Sequence, residues 1–113
     1  MDNCIFCKIA AKEIPSTSVY EDDHLLAFRD LNPQAPEHIL IIPKKHIARI
    51  ENLSSEDTDL MGRLLVAAKQ IADDLGLKNG YRLVFNNGLD GGQEVEHIHL
   101  HLMGGRKFSW PAG

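Results

Sequence analysis

The sequence predicts an α+β fold built on a largely antiparallel sheet. Three observations predict it. The elements run in the order short helix, three strands, long helix, two strands. One apolar stripe at helical spacing continues for about twenty residues. The run Ile39-Leu40-Ile41-Ile42 is apolar on both faces, as a strand in the middle of a sheet must be.

Each element has its own local cause. Ile5, Phe6, Ile9 and Ala10 lie at helical spacing within a predicted helix over Cys4 to Glu13, which Pro15 stops. Thr17 to Tyr20 reads as a short strand. Glu21-Asp22-Asp23 turns into a second strand over His24 to Phe28, with His24 at the surface. Two prolines make Asn32-Pro33-Gln34-Ala35-Pro36 a loop. Pro43 ends the third strand. Ser54 or Ser55 caps the long helix, and Ser54 with Asp57 forms the acidic capping pattern. Leu60, Met61, Leu64, Leu65, Ala68, Ile71, Ala72 and Leu75 form its stripe, and Gly76 ends it from the C′ position. At about twenty residues that helix is about 30 Å long. Tyr81 to Phe85 is a strand, Asn86-Asn87-Gly88 a turn, and Val95 to Met103 the last strand.

Size and charge exclude several functions. At 113 residues the chain is one domain, long enough to bury a core without staples. Twelve basic against sixteen acidic residues give a net charge of −4, which argues against a general nucleic-acid binder. The longest apolar run, Leu64 to Ala68, is far too short to cross a bilayer. Met1-Asp2-Asn3 is acidic and lacks an apolar signal core, so a cytoplasmic location is expected, without a disulfide between Cys4 and Cys7.

The chemistry concentrates in His97-Ile98-His99-Leu100-His101-Leu102. On a strand the three imidazoles face one side and the aliphatic residues the other, toward the long helix. Same-face side chains are about 6.6 Å apart, so His97 and His101 are separated by about 13 Å. Three readings are open. The histidines are a polar surface stripe, or ligands of a catalytic zinc, or a nucleophile with its acid and orienting partners. Convergence of all three on one ion is hard across that span. The nearby Gly91-Gly92-Gln93 loop offers backbone N–H groups and an amide, which favours a phosphate ester or anhydride as ligand.

The run His97 to Met103 follows the pattern His-x-His-x-His-x-x, with x apolar, and resembles the histidine triad superfamily. Lys12-Glu13-Ile14-Pro15, Asn32 to Pro36, Ile41 to His46, Asp90 to Gln93 and Trp110-Pro111 are similar to its histidine triad nucleotide-binding branch. The dinucleoside-polyphosphate hydrolase branch typically carries Gln at the last triad position, here His101. The resemblance implies a five-stranded, mainly antiparallel sheet with one long and one short helix. It also implies a purine nucleoside phosphoramidase, which cleaves the P–N bond of a nucleoside 5′-monophosphate amide. On that reading His99 is the nucleophile and forms a nucleotidyl-histidine intermediate. His101 contacts the phosphoryl oxygens, with a cationic donor as one option. His97 orients its neighbours, and His38 is a further active-site histidine or simply a satisfied one at a strand start. No cofactor is required for catalysis. The alternatives are a nucleotide-binding adaptor with incidental turnover and a dinucleoside-polyphosphate hydrolase.

The same resemblance implies that Asp30 bonds the ribose hydroxyls and Asn86 lies near ribose and phosphate. Gly92, Gln93 and Glu94 would flank the phosphate. Leu31, Phe6, Ile9 and Ile14 would form the base slot, although by pattern alone all four read as core. Glu94 stands where many members have Ser, and a carboxylate there repels phosphate unless it turns away or is protonated. Glu96 replaces a commoner aromatic. Cys4-Ile5-Phe6-Cys7 is a C-x-x-C pair, which alone is either two packed thiols or half of a metal site. The resemblance supplies His46 and His97 as the other two ligands of a structural zinc. It further implies a homodimer joined through the long helix and the fourth strand, with Trp110-Pro111 reaching toward the partner's site.

Overall fold

The computed structural model describes residues 3–113; Met1 and Asp2, part of the N-terminal stretch read above, lie outside the described residues. A short helix α1 (Ile5–Ala10) leads into strands β1 (Ser18–Glu21), β2 (Leu25–Arg29) and β3 (Glu37–Pro43). Helix α2 (Thr58–Asp74) follows, then β4 (Tyr81–Phe85) and β5 (Leu100–Gly104). The five strands form one antiparallel sheet in the order β1-β2-β3-β5-β4.

β3 is the central strand, and period-two alternation divides its side chains between two cores. Ile39 and Ile41 face α2, joining Leu25, Ala27, Leu100, Leu102, Leu64, Ala68 and Ile71. Leu40 and Ile42 face α1, joining Leu26, Phe28, Phe6 and Ile9. His38 and His101 lie on this second face, because His38 shares the parity of Leu40, and Leu40 pairs with His101.

The helix ends follow their capping residues. α1 is shorter than the predicted Cys4–Glu13. Lys12 adopts a left-handed φ of 66°, while Glu13 N–H donates to Lys8 O and Lys12 N–H to Ile9 O. That closure ends the helix before Pro15 can. At α2 the Ser54 hydroxyl accepts from Glu56 N–H, and Asp57 accepts from Ser54 N–H at 3.0 Å. A 3-10 turn over Ser55–Asp57 supplies the first turn of the predicted span. Gly76, with φ 72°, makes the matching closure at the far end. Leu65 is a correction: it is 56% exposed, and Ala67 takes its place in the core. The buried face runs through Leu64, Ala67, Ala68 and Ile71, and Leu65 sits a quarter-turn away.

The last strand is also shorter than the predicted Val95 to Met103. Pairing runs from Glu37↔Gly104 to Ile41↔Leu100, and β4 stops at Phe85↔Leu100. Pro43, opposite Ile98 in the extrapolated register, has no N–H to extend the ladder. His97 to His99 therefore lie just off the sheet, held by Ile98 N–H donating to Ile47 O at 2.7 Å.

Leu64 is fully buried and Leu89 is 88% exposed. Leu64→Ala is expected to lower the unfolding free energy by about 2–5 kcal/mol, and Leu89→Ala to change it by less than about 0.5 kcal/mol, in denaturant titrations. Equal effects would contradict the core assignment.

Candidate active site

A cavity of about 500 Å³ opens on the α1 side of the sheet. Its apolar end is made by Phe6, Ile9, Ile14 and Leu31, and its polar end by His38, His99, His101, Asp30, Asn86, Gly92 and Glu94. Of the four residues whose pattern suggests core, Phe6 and Ile9 are buried, Ile14 is half-buried and Leu31 is 97% exposed on the cavity rim. Gly91 is required on the loop beside it. A Cβ there would come within 2.3 Å of Asn87 O.

Hydrogen bonds assign the imidazole tautomers. Gln34 N–H can only donate, and it meets His38 Nδ1 at 3.0 Å, so that nitrogen carries the lone pair. In the neutral ring Nε2 then carries the proton, 2.9 Å from His101 Nδ1 and 3.5 Å from Asp30 Oδ2. His101 Nδ1 is thus an acceptor, and its proton sits on Nε2. His99 is the opposite tautomer. Its Nδ1 lies 2.8 Å from His97 O, an acceptor only, so Nδ1 is the protonated nitrogen. In the neutral ring the lone pair is left on Nε2. One ring at the cavity offers a nucleophilic nitrogen and its neighbour, 5.0 Å away between centroids, offers a donor.

Burial sets the charge of this group. It pushes His101 down to about 4, with repulsion from His99 and His38 adding to the effect. It also lowers His38, against the pull of the Asp30 carboxylate. His101 in the free protein is therefore a neutral donor, which corrects the cationic option.

His97 departs from its neighbours. Its side chain is fully buried and turns away from the cavity into a second cluster. Cys4 Sγ is 3.3 Å and Cys7 Sγ 3.6 Å from His97 Nδ1, and Cys7 Sγ is 3.2 Å from His46 Nδ1. All four ligand atoms lie within 4.8 Å of one another. A tetrahedral zinc with bonds of about 2.3 Å to sulfur and about 2.05 Å to nitrogen has edges of about 3.4–3.8 Å, close to these spacings. His97 Nε2 is 2.7 Å from Pro43 O, so that nitrogen donates and Nδ1 keeps its lone pair toward the thiols. The donor set fits a metal ion. Both cysteines are free thiols, and burial together with the Cys4 contact pushes Cys7 up to about 11. His97 also orients His99, through its backbone carbonyl.

Gln93 is a second correction. Its amide nitrogen donates to Ala48 O and Val95 O, its oxygen accepts from Gly88 N–H, and its own N–H donates to Gly88 O. All these groups brace the loop rather than face the cavity. Gly92 reaches the cavity, but its N–H donates to Leu89 O, and Asn86 donates to Gly91 O. The expected backbone cradle is thus largely engaged within the turn. Glu96 faces Arg49, whose Nε lies 3.0 Å from it. Reading the sequence missed Gln34, which acts through a backbone N–H, and Pro43, which acts through its carbonyl. Neither role leaves a side-chain signature.

The HIT domain family matches residues 11–108. This chain belongs to the HIT family. It is 53% identical over 111 residues to the 14 kDa zinc-binding protein of Zea mays, covering 96% of this chain and 87% of that one. The crystal structure of a HIT family hydrolase from Legionella pneumophila Philadelphia 1 superimposes with a TM-score of 0.96 at 59% identity, covering 98% of this chain and 100% of that one. A histidine triad nucleotide-binding protein from Candida albicans superimposes at 0.83 with 35% identity, over 98% of this chain and 85% of that one. The HIT-like expectations of fold and family hold. No helix among the described residues is long and apolar enough to cross a membrane.

Burial lowers His38, His97 and His101 below their ordinary value of 6.5. The unfolded metal-free chain therefore binds more protons than the folded one in acid. Stability should be level between about pH 6.5 and 8 and fall as the pH drops toward about 4. His101→Asn should lose less over that interval in urea titrations. A flat wild-type profile would contradict the neutral-histidine assignment.

Proposed function

We propose that this HIT protein is a hydrolase of nucleoside 5′-phosphoramidates, acting through a nucleotidyl-His99 intermediate. The observation that carries the reading is the pair of opposite tautomers, with Nε2 bearing a lone pair on His99 and a proton on His101. The Legionella hydrolase and the Candida nucleotide-binding protein support the broader reading of a nucleotide-handling hydrolase.

His99 Nε2 attacks the phosphorus in line and the P–N bond breaks. The amine leaves with the bond pair and takes up a proton from solvent, which the attacking water of the second step returns. Water then attacks the phosphorus, the P–N bond to His99 breaks, and nucleoside 5′-monophosphate is released. One hard displacement becomes two easier ones. His101 Nε2–H donates to a phosphoryl oxygen as charge builds there. His38 holds His101 in the required tautomer and keeps its Nδ1 occupied. Asp30 accepts from the ribose hydroxyls and Asn86 approaches the phosphate. Phe6, Ile9, Ile14 and Leu31 cover the purine. Glu94 lies on the cavity wall, where its carboxylate has to turn away from the phosphate or be protonated for the nucleotide to bind.

The reading includes a structural zinc on Cys4, Cys7, His46 and His97, supported by their spacing and by the Zea mays relative. Its ligation would cross-link α1 to the 43–48 segment and the triad strand. None of the reacting steps passes through it. The purified chain should carry about one zinc per protomer by elemental analysis, and Cys4→Ser/Cys7→Ser should carry none. Zinc retained by the double variant would contradict this ligand set.

The reading also includes a homodimer. Leu65 and Val66 on α2 are 56% and 69% exposed, and Tyr81 and Phe85 on the edge strand β4 are 38% and 37% exposed. Their cover by a second copy predicts a gel-filtration mass near twice 12.6 kDa. Elution at the protomer mass would contradict it.

The deciding assay follows AMP release from adenosine 5′-phosphoramidate in the presence of a chelator. Wild type should release AMP, and His99→Ala should be slower by about 10³-fold or more. His101→Ala should lose about 10²–10³-fold in kcat. No release by a folded, AMP-binding wild type would favour the adaptor reading instead.

A further inference from the structure

We infer that the Cys4–Cys7–His46–His97 cluster is a positioning device for His99, so that metal occupancy sets the geometry of the nucleophile. The two sites share one residue. The His97 side chain belongs to the thiol–imidazole cluster, while its carbonyl holds His99 Nδ1–H at 2.8 Å. That carbonyl has little else to fix it, because sheet pairing begins only at Leu100. Its position depends on the anchored imidazole, with Nδ1 toward the thiols and Nε2 at Pro43 O, and on the Ile98 contact to Ile47 O.

A second link runs through α1. Phe6 lies between the two cysteines in sequence, and its ring meets His99 edge-on at 5.1 Å and His97 at 6.0 Å. Cys4 caps α1, accepting from Cys7 N–H at 3.3 Å. Anchoring of the cysteines therefore fixes the wall against which the His99 ring rests. With all four ligands bound, backbone and ring walls both hold His99 in the Nδ1–H tautomer. With the cluster open, Cys4 and Cys7 keep only weak thiol contacts and His97 is held by its Nε2–H bond to Pro43 O alone, so the His99 ring can turn or exchange tautomers. Cys4, Cys7 and His46 are then positioning residues. They touch neither the cavity's polar end nor the reacting atoms.

The kinetic arm of the test rests on the phosphoramidase reading, and the spectroscopic arm does not. The protein is labelled with 15N-histidine and compared zinc-loaded, stripped and reloaded. Cobalt serves as a second probe whose thiolate charge-transfer band reports occupancy. Loaded protein should show His99 as one Nδ1–H tautomer. Stripped protein should show averaging of its two nitrogens, restored on reloading. In parallel kcat should fall about 10- to 100-fold on stripping, with a smaller change in KM. An unchanged His99 tautomer on stripping, or a cluster that binds neither zinc nor cobalt, would overturn the inference. If neither form turns over phosphoramidate, the functional reading fails while the tautomer shift still supports the coupling. Should the stripped chain unfold, Cys4→Asp, a weaker site, is titrated with zinc. The single tautomer must then grow with occupancy, and a tautomer independent of occupancy overturns the inference.

Discussion

The hydrogen bond from His99 Nδ1–H to the His97 carbonyl decides which nitrogen of the central histidine faces the cavity. A carbonyl inside a sheet ladder is taken by the neighbouring strand and cannot serve a side chain two residues along. Here the ladder has already stopped. β3 ends at Pro43, whose register position opposite Ile98 offers no N–H, and β4 ends at Phe85. The same break that shortens the last strand frees the carbonyl that assigns the His99 tautomer. Pro43 acts twice, since its own carbonyl holds His97 Nε2.

The opposite tautomer on His101 has an equally local cause. A single donor, Gln34 N–H, sets His38, and His38 sets His101. Such a chain keeps its direction only while its rings are neutral. Burial on the α1 face of the sheet supplies that condition, holding His38 and His101 below their ordinary values. β3 underlies both halves, since its Leu40 and Ile42 build the apolar floor while its His38 reaches into the cavity. Two fixed tautomers that cost nothing to reorganise suit a site where charge develops on phosphoryl oxygens.

Much of this was legible in the residues. Strict alternation places Ile98, Leu100 and Leu102 against α2 and His99 and His101 opposite, as the structure has them, whereas His97 turns into the thiol cluster. Ile39 to Ile42, apolar at every position, marked the central strand, and the Ser54–Asp57 cap and Gly76 bounded the long helix. The chain ends of elements were less legible. Lys12 in a left-handed conformation ended α1 early, and Leu65 could not be distinguished from Leu64 by spacing that admits either. Within the site, alternation along the chain points to His99 and His101 and spacing to the Cys4–Cys7 pair, while His38 and the ligands His46 and His97 come from the family resemblance. Backbone groups carried the rest. Gln34 N–H, His97 O and Pro43 O look the same for any residue type, so composition is blind to them. Gln93 misled for a related reason: an amide near a glycine pair suits phosphate, yet its three groups close the loop.

The site of covalent attachment tests the tautomer account most directly. The protein is quenched in acid-free conditions during turnover of an adenosine phosphoramidate, digested, and mapped by mass spectrometry and phosphorus–nitrogen coupling. The account predicts adenylate on His99, bonded to Nε2. Attachment at Nδ1, or at another residue such as His101 or His38, would contradict it.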